Sequence, residues 1–349
     1  MWLGLVFWFS TFMWFVAWAS IEIPLWRSCG RHYCGPLSLG TPMKQFKMLF
    51  DTGSCNTWVR SVNSKTKFTD QAYDWKSSES AEIEQNQQTM GYANCRITGI
   101  VVRDSVMLGN KNVKVRFASG VELSQSCPPR MSFDGIVGLC AVPGNSTFLN
   151  QLVEADIIDD RIFSIWINPN TQELLAGSVI LGGVHDGLYS GTLNKVSLEP
   201  LRNWWCFRLT GVRIDDGKVS TLPYLVAVDS GATKLWVPES LLKQINDVLH
   251  PIGFDGRFHL VDCSNIPKKP IVHFEVGEFT LSMEPKYYIR SIKKDGQWTC
   301  QSLFTQTPEG NFPHILLGRP FLNKYYTMYD MEYGELGFAL ADQAKHLQD

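Results

Sequence analysis

Short stretches of apolar residues, many alternating with polar ones, run along this chain, and turn residues interrupt them every few positions. Tyr33 to Leu39, closed by Gly40-Thr41-Pro42, predicts a strand and a turn. Thr89 to Val106, with Gly91-Tyr92-Ala93-Asn94 near its start, predicts a hairpin. Phe133 to Leu139 and Ser178 to Gly183 are apolar around glycine, which suits buried strands lying close to another backbone. Helical spacing is confined to short segments, Phe148 to Ala155 and Pro238 to Leu249. The expectation is an all-β chain with a few short helices.

Two of these runs end alike. Phe46 to Phe50 delivers Asp51-Thr52-Gly53-Ser54, and Leu225 to Val228 delivers Asp229-Ser230-Gly231-Ala232. An acid at the end of an apolar strand, followed by hydroxyl and glycine, is a carboxylate carried into a tight turn. Each is followed by a hydrophobic-Gly segment, Phe133 to Leu139 and Ile315 to Phe321. Asp51 to Gly138 spans 138 − 51 = 87 positions, and Asp229 to Gly318 spans 318 − 229 = 89. Near-equal spacing of the same two features points to an internal duplication. At 349 residues the chain exceeds one ordinary core, so two halves are expected, 33–190 and 191–349, with the crossover near Tyr189 to Gly191.

Composition narrows the function classes. A formal net charge of −2 without Lys/Arg runs argues against nucleic acid or an anionic membrane as partner. No zinc-type Cys/His spacing and no phosphate loop is present, so no metal or other cofactor is expected. Met1 to Ala19 is apolar and closes on Ala17-Trp18-Ala19, a small-x-small pattern that reads as a secretory signal peptide. A run of about 18 apolar residues also has the length of a membrane span. Nine cysteines, an odd number, leave at least one outside any intrachain pair. Asn145-Ser146-Thr147 is a glycosylation sequon, usable in a secreted or lysosomal protein.

Packed with twofold symmetry, the halves would bring Asp51 and Asp229 side by side. Two carboxyls about 3 Å apart share one proton and titrate in two separated steps. The ionised member can take a proton from a bound water while the protonated member polarises an amide carbonyl. That is peptide-bond hydrolysis without metal or covalent intermediate.

The segments Phe50 to Trp58, Phe133 to Leu139, Ala227 to Ala232, Ile315 to Phe321 and Tyr325-Tyr326-Thr327 together resemble the pepsin-type aspartic endopeptidases, the family of pepsin, cathepsin D and renin. The resemblance runs from about Tyr33 to Ala341. It implies a bilobal β fold with two pseudo-twofold lobes flanking a cleft, and a catalytic dyad of Asp51 and Asp229. It implies a monomer acting in mild acid on peptide or protein substrates, between bulky apolar residues. Thr52 and Ser230 would interlock the two turns, and Ser54 would hydrogen-bond the first carboxylate. Tyr92 would close a flap with Trp58 as partner, Gly53 and Gly231 would offer backbone groups to the peptide, and Phe133 and Ile136 would line the pocket for the residue before the cut. Cys263 and Cys300 match the family's C-terminal-lobe disulfide.

The chain also departs from the family pattern. Ala93-Asn94-Cys95-Arg96 replaces the glycine and small hydroxyl residues usual at the flap tip, and Ala232 lacks a hydroxyl that many relatives place beside the second aspartate. The usual small bridges near the acid turns are missing; Cys55 with Cys140 and Cys29 with Cys34 are candidate pairs, and Cys206 reads as a buried thiol. Residues 20–32 form only a short arm, resembling the start of a basic propeptide. The rival expectation is a catalytically inactive, secreted binding protein of the same fold.

Overall fold

The alternating pattern becomes strand pairing almost throughout. A computed structural model describes residues 20–64, 71–92, 95–124, 131–142, 147–170, 172–199, 203–217, 223–294, 296–310 and 313–342. The first half runs through β1 (Ile21–Cys29), β2 (His32–Leu39), β3 (Lys44–Asp51), β4 (Trp58–Arg60), β5 (Glu82–Tyr92), β6 (Cys95–Leu108), β7 (Lys111–Leu123) and β8 (Gly135–Gly138). Helix α1 (Phe148–Glu154) follows, its first turn capped by the Thr147 side chain on the Asn150 amide. Then come β9 (Ile162–Ile167), β10 (Leu175–Leu181) and β11 (Tyr189–Ser197). The second half continues with β12 (Cys206–Arg208), β13 (Gly211–Ile214), β14 (Leu225–Val228), β15 (Leu235–Val237) and helix α2 (Glu239–Leu249), and ends in further short strands. This is the mostly-β pepsin-like architecture.

The spacing repeat has a direct structural meaning. β3 lies parallel to β8, with Asp51 opposite Gly138. β14 lies parallel to Ile315–Leu317 with Val228 opposite Leu317, which puts Asp229 level with Gly318. In both halves the hydrophobic-Gly strand then takes an antiparallel neighbour, β4 in the first and β15 in the second. Each of those pairs in parallel with one more strand, β7 and Phe304–Gln306. The glycines are needed where the chains cross: a Cβ on Gly138 would sit 2.6 Å from the Cys55 carbonyl carbon, and one on Gly318 would sit 2.5 Å from the Ala232 oxygen.

Both halves share one floor. A thirteen-stranded sheet runs β11, Glu335–Ala341, Tyr325–Asp330, β9, β10, β1, β2, β3, β8, β4, β7, β6, β5. The 190/191 boundary expected from the sequence thus falls inside β11, where Tyr189 and Ser190 already pair with Ala341 and Leu340. Residues 20–32, read as a short arm, supply β1 in mid-sheet between β10 and β2. Their alternation explains it: Ile21, Ile23 and Leu25 are buried while Glu22 is exposed.

Among the described residues, disulfides join Cys29 to Cys34, Cys55 to Cys140 and Cys263 to Cys300, with Cα separations of 6.0, 4.8 and 5.3 Å. Cys55–Cys140 links the chain just after the first acid turn to the end of its parallel partner, where the β3/β8 register already brings them together. Cys95 is also disulfide-bonded. Cys206 is a buried free thiol, pushed up to about 12 by burial and then by the charge of Glu199.

Candidate active site

Asp51 is the last residue of β3 and Asp229 directly follows β14. The apolar strands behind them, with Leu49, Phe50, Val226 and Val228 in the core, leave each carboxyl only the open end of its sheet. Both are nevertheless largely buried, at 7% and 9% exposure. The two side chains hydrogen-bond each other. How tightly the turns interpenetrate is measured by their glycines. A Cβ on Gly53 would stand 2.8 Å from the Asp229 carboxyl carbon, and one on Gly231 would stand 2.5 Å from Asp51 Oδ1. Any side chain at either glycine would displace the opposite carboxyl.

Four hydrogen bonds tie the turns across the halves. The Thr52 hydroxyl donates to the Val228 carbonyl at 2.9 Å, and the Ser230 hydroxyl donates to the Phe50 carbonyl at 2.6 Å. Each hydroxyl also accepts the other residue's backbone N–H, both at 3.0 Å. The arrangement is symmetric in kind, and Thr52 is fully buried. Reciprocal and shielded from full solvent, these bonds fix the separation of the carboxyls to within a narrow range.

The carboxyls themselves are held differently. Asp51 Oδ1 accepts the Gly53 N–H at 2.9 Å, and Asp51 Oδ2 accepts the Ser54 hydroxyl. Asp229 Oδ1 accepts two amides, Gly231 at 2.8 Å and Ala232 at 3.1 Å. Ala232 has no hydroxyl to place on Oδ2. The Asp229 carboxyl lies well above the usual carboxylate range. Burial is the main cause, followed by the neighbouring Asp51 charge and the shared hydrogen bond, and the two amides only partly offset them.

The remaining residues named from the sequence fall into two groups. Trp58, Ile136, Leu49, Met90 and Ile97 form one buried cluster against which Phe133 packs. Trp58 pairs with Ile136 across β4 and β8, so this cluster backs the first acid strand. Met90 and Ile97 pair across the β5/β6 hairpin, which roots that hairpin in the same cluster. Tyr92 pairs with Cys95 at the end of the hairpin; its side chain, and Ala93 and Asn94, lie outside the described residues. Asn145 and the leader 1–19 also lie outside them. Among the described residues no group of three His, Cys, Asp or Glu could hold a metal.

Sequence reasoning missed the support beneath the grip. Tyr329 is fully buried, hydrogen-bonded to Thr327 at 3.2 Å and to Thr52. Phe163 stacks on it at 4.5 Å and Trp205 meets it edge-on at 5.2 Å. Trp205 in turn donates its indole N–H to the Leu139 carbonyl at 2.6 Å. The aromatic run Trp204 to Phe207 was the available signal, but nothing local in it names a partner more than a hundred residues away.

Residues 32–341 match the family described as eukaryotic aspartyl protease. The chain is similar to renin of Canis lupus familiaris, 29% identical over 324 residues, covering 88% of this chain and 79% of that protein. It is similar to cathepsin D of Clupea harengus, 26% identical over 323 residues, with 88% and 80% covered. It is also similar to cathepsin E of Rattus norvegicus, 27% identical over 335 residues, with 92% and 83% covered.

Proposed function

The chain belongs to the eukaryotic aspartyl protease family, and we propose that it is an active endopeptidase that hydrolyses peptide bonds between bulky apolar residues in mild acid. One observation carries this reading: two buried carboxyls from opposite halves hydrogen-bond each other, one of them pushed well above the usual range. In such a pair a single proton is held at the pH where the enzyme works. The hydrogen bonds favour keeping it on Asp229, whose own turn offers amides to Oδ1 alone. Asp51 has donors on both oxygens.

Asp51 then takes a proton from a water lying between the carboxyls, and the water oxygen attacks the scissile carbonyl carbon. Asp229 gives its proton to the carbonyl oxygen, and the pair later returns a proton to the leaving nitrogen. Thr52, Ser230 and Ser54 hold the geometry. Gly53 and Gly231 leave room for the peptide backbone, and Phe133 and Ile136, on the apolar cluster with Trp58, receive the side chain before the cut. Tyr92, on the β5/β6 hairpin, covers the substrate. The leader 1–19 directs a monomer into the secretory pathway, to the exterior or the lysosome, with Asn145 glycosylated. Among the described residues no helix is long and apolar enough to cross a membrane.

The test is an acid proteolysis assay on denatured globin with the secreted protein, whose N-terminus is sequenced in parallel. Turnover blocked by a statine-type inhibitor and abolished by Asp51→Asn is the expected result. A folded, inhibitor-binding protein without turnover that Asp51→Asn removes would be the non-catalytic member instead.

A further inference from the structure

Next to the site lies a group of positive charges that the proposed chemistry does not use. Arg31, Lys234, Arg257 and Arg290 all stand over the ring of one buried phenylalanine, Phe258, at 5.4, 4.3, 5.4 and 4.8 Å from its centroid. The ring face attracts each cation, but a single acid is set against the four of them. Asp255 is the nearby acid, and its oxygens are taken by the Arg257 and Phe258 amides at 2.9 and 2.7 Å and by the Gln301 amide at 2.6 Å. Among the described residues none of the four cations forms a salt bridge. Arg31 Nη1 and Arg290 Nε are buried without a hydrogen-bond partner. The strain registers in the basicity of the group. Arg290 is lowered to about 10, first by burial and then by Arg31, Arg319 and Arg257. Lys234 is lowered by burial and then by Arg257 and Arg31.

The position of the group is as informative as its charge. Arg31 sits in the β1/β2 turn, which abuts Ser132: a Cβ on the adjacent Gly30 would lie 3.3 Å from the Ser132 hydroxyl. His32, the next residue, meets Phe133 edge-on at 5.8 Å and feels the charge of Asp51. Lys234 is five positions past Asp229, and the neighbouring Arg319 donates to the Arg31 carbonyl. The cations therefore come from both halves and converge just beyond Phe133, the residue assigned above to the pocket before the cut.

We propose that Arg31, Lys234, Arg257 and Arg290 form a subsite for acidic side chains of the substrate, upstream of the scissile bond. Arg290 donates to Gln301 and Lys234 to the Arg257 carbonyl, but the guanidinium donors left over match a carboxylate, and a bound acid would add to the single counter-charge of Asp255. A chain with a net charge of −2 keeps this positive patch local, so it selects among peptides by position and not by overall charge. The inference rests on the hydrolytic reading for its location along the substrate.

Two quenched peptides test it, sharing one apolar cleavage centre and differing in Glu or Gln at the third to fifth positions before the cut. The Glu peptide is expected to have a kcat/KM about tenfold higher near pH 5, the scale of a desolvated charge pair. The ratio should fall towards one as pH drops below the ordinary Glu value of about 4.3, and also in about 0.5 M salt. Arg257→Gln with Lys234→Gln should collapse the ratio, and Arg257→Lys should retain most of it. Equal kcat/KM at all pH values overturns the subsite while leaving hydrolysis standing. If neither peptide is cut, hydrolysis fails separately, and peptide binding by fluorescence anisotropy decides. Tighter, salt-sensitive binding of the Glu peptide upholds the subsite. Binding of a sulfated polysaccharide without discrimination between the two peptides counts against it.

Discussion

The two acid turns are alike in backbone and unlike in side chain. Each sits at the end of a strand parallel to a hydrophobic-Gly partner, and each presents a glycine to the opposite carboxyl. Yet Asp51 receives a hydroxyl from Ser54, where Asp229 receives only the backbone N–H of Ala232. Symmetry brings the carboxyls together, and the Ser54/Ala232 difference gives them unequal hydrogen bonds. A perfectly symmetric pair would share the proton evenly, so the difference matters to the proposed chemistry.

The coarsest way to break the comparison is to remove one carboxyl. Asp51→Asn and Asp229→Asn should each lower kcat by about 10²–10⁴-fold, the scale of general acid–base catalysis, with thermal unfolding still cooperative. Next come the glycines. Gly231→Ala and Gly53→Ala each drive a methyl into the opposite carboxyl, and a displacement of about 1 Å costs on the order of 10²-fold in kcat/KM. Gly231→Ala should be the worse of the two because its gap is 2.5 Å against 2.8 Å.

Smaller effects probe the grip and the proton. Ser230→Ala removes the bonds to Phe50 and Thr52 and should cost about 1–3 kcal/mol in urea unfolding. The raised Asp229 carboxyl makes a further prediction about pH. Its folded value lies above its unfolded value of 3.8, so its stabilising effect is full below about pH 4 and is lost as pH rises through the folded value. Asp229→Asn should therefore lose less stability than the parent chain between acid and neutral pH, seen as a smaller fall in urea midpoint. The finest test exchanges the asymmetric pair, Ser54→Ala with Ala232→Ser. Moving one hydrogen bond between the carboxyls should shift the limbs of the pH–rate profile by a fraction of a unit, with little loss of stability.

Much of this was legible in order along the chain. The spacings of 87 and 89 positions between acid and glycine became parallel register at the same level in both halves. Helices α1 and α2 fall within a residue or so of the segments with helical spacing. Within 20–32 the alternation of residues is more informative than the shortness of the segment. Ile21, Ile23 and Leu25 alternate as a strand does and pair accordingly. Among the described residues the three disulfides and the buried Cys206 thiol fall as the sequence suggests.

What the sequence alone determined is local and repeated: strands that end in an acid, turns that need glycine, and a second copy of each at nearly the same distance. These follow from alternation, backbone geometry and spacing, all properties of neighbours in the chain. Only the tertiary structure decided the rest. It set Tyr329, Trp205 and Phe163 beneath Thr52, and brought Arg31, Lys234 and Arg290 from distant positions to join Arg257 over its neighbour Phe258. Packing and burial act on whatever the fold brings within a few ångströms, and no short-range pattern records which residues those will be.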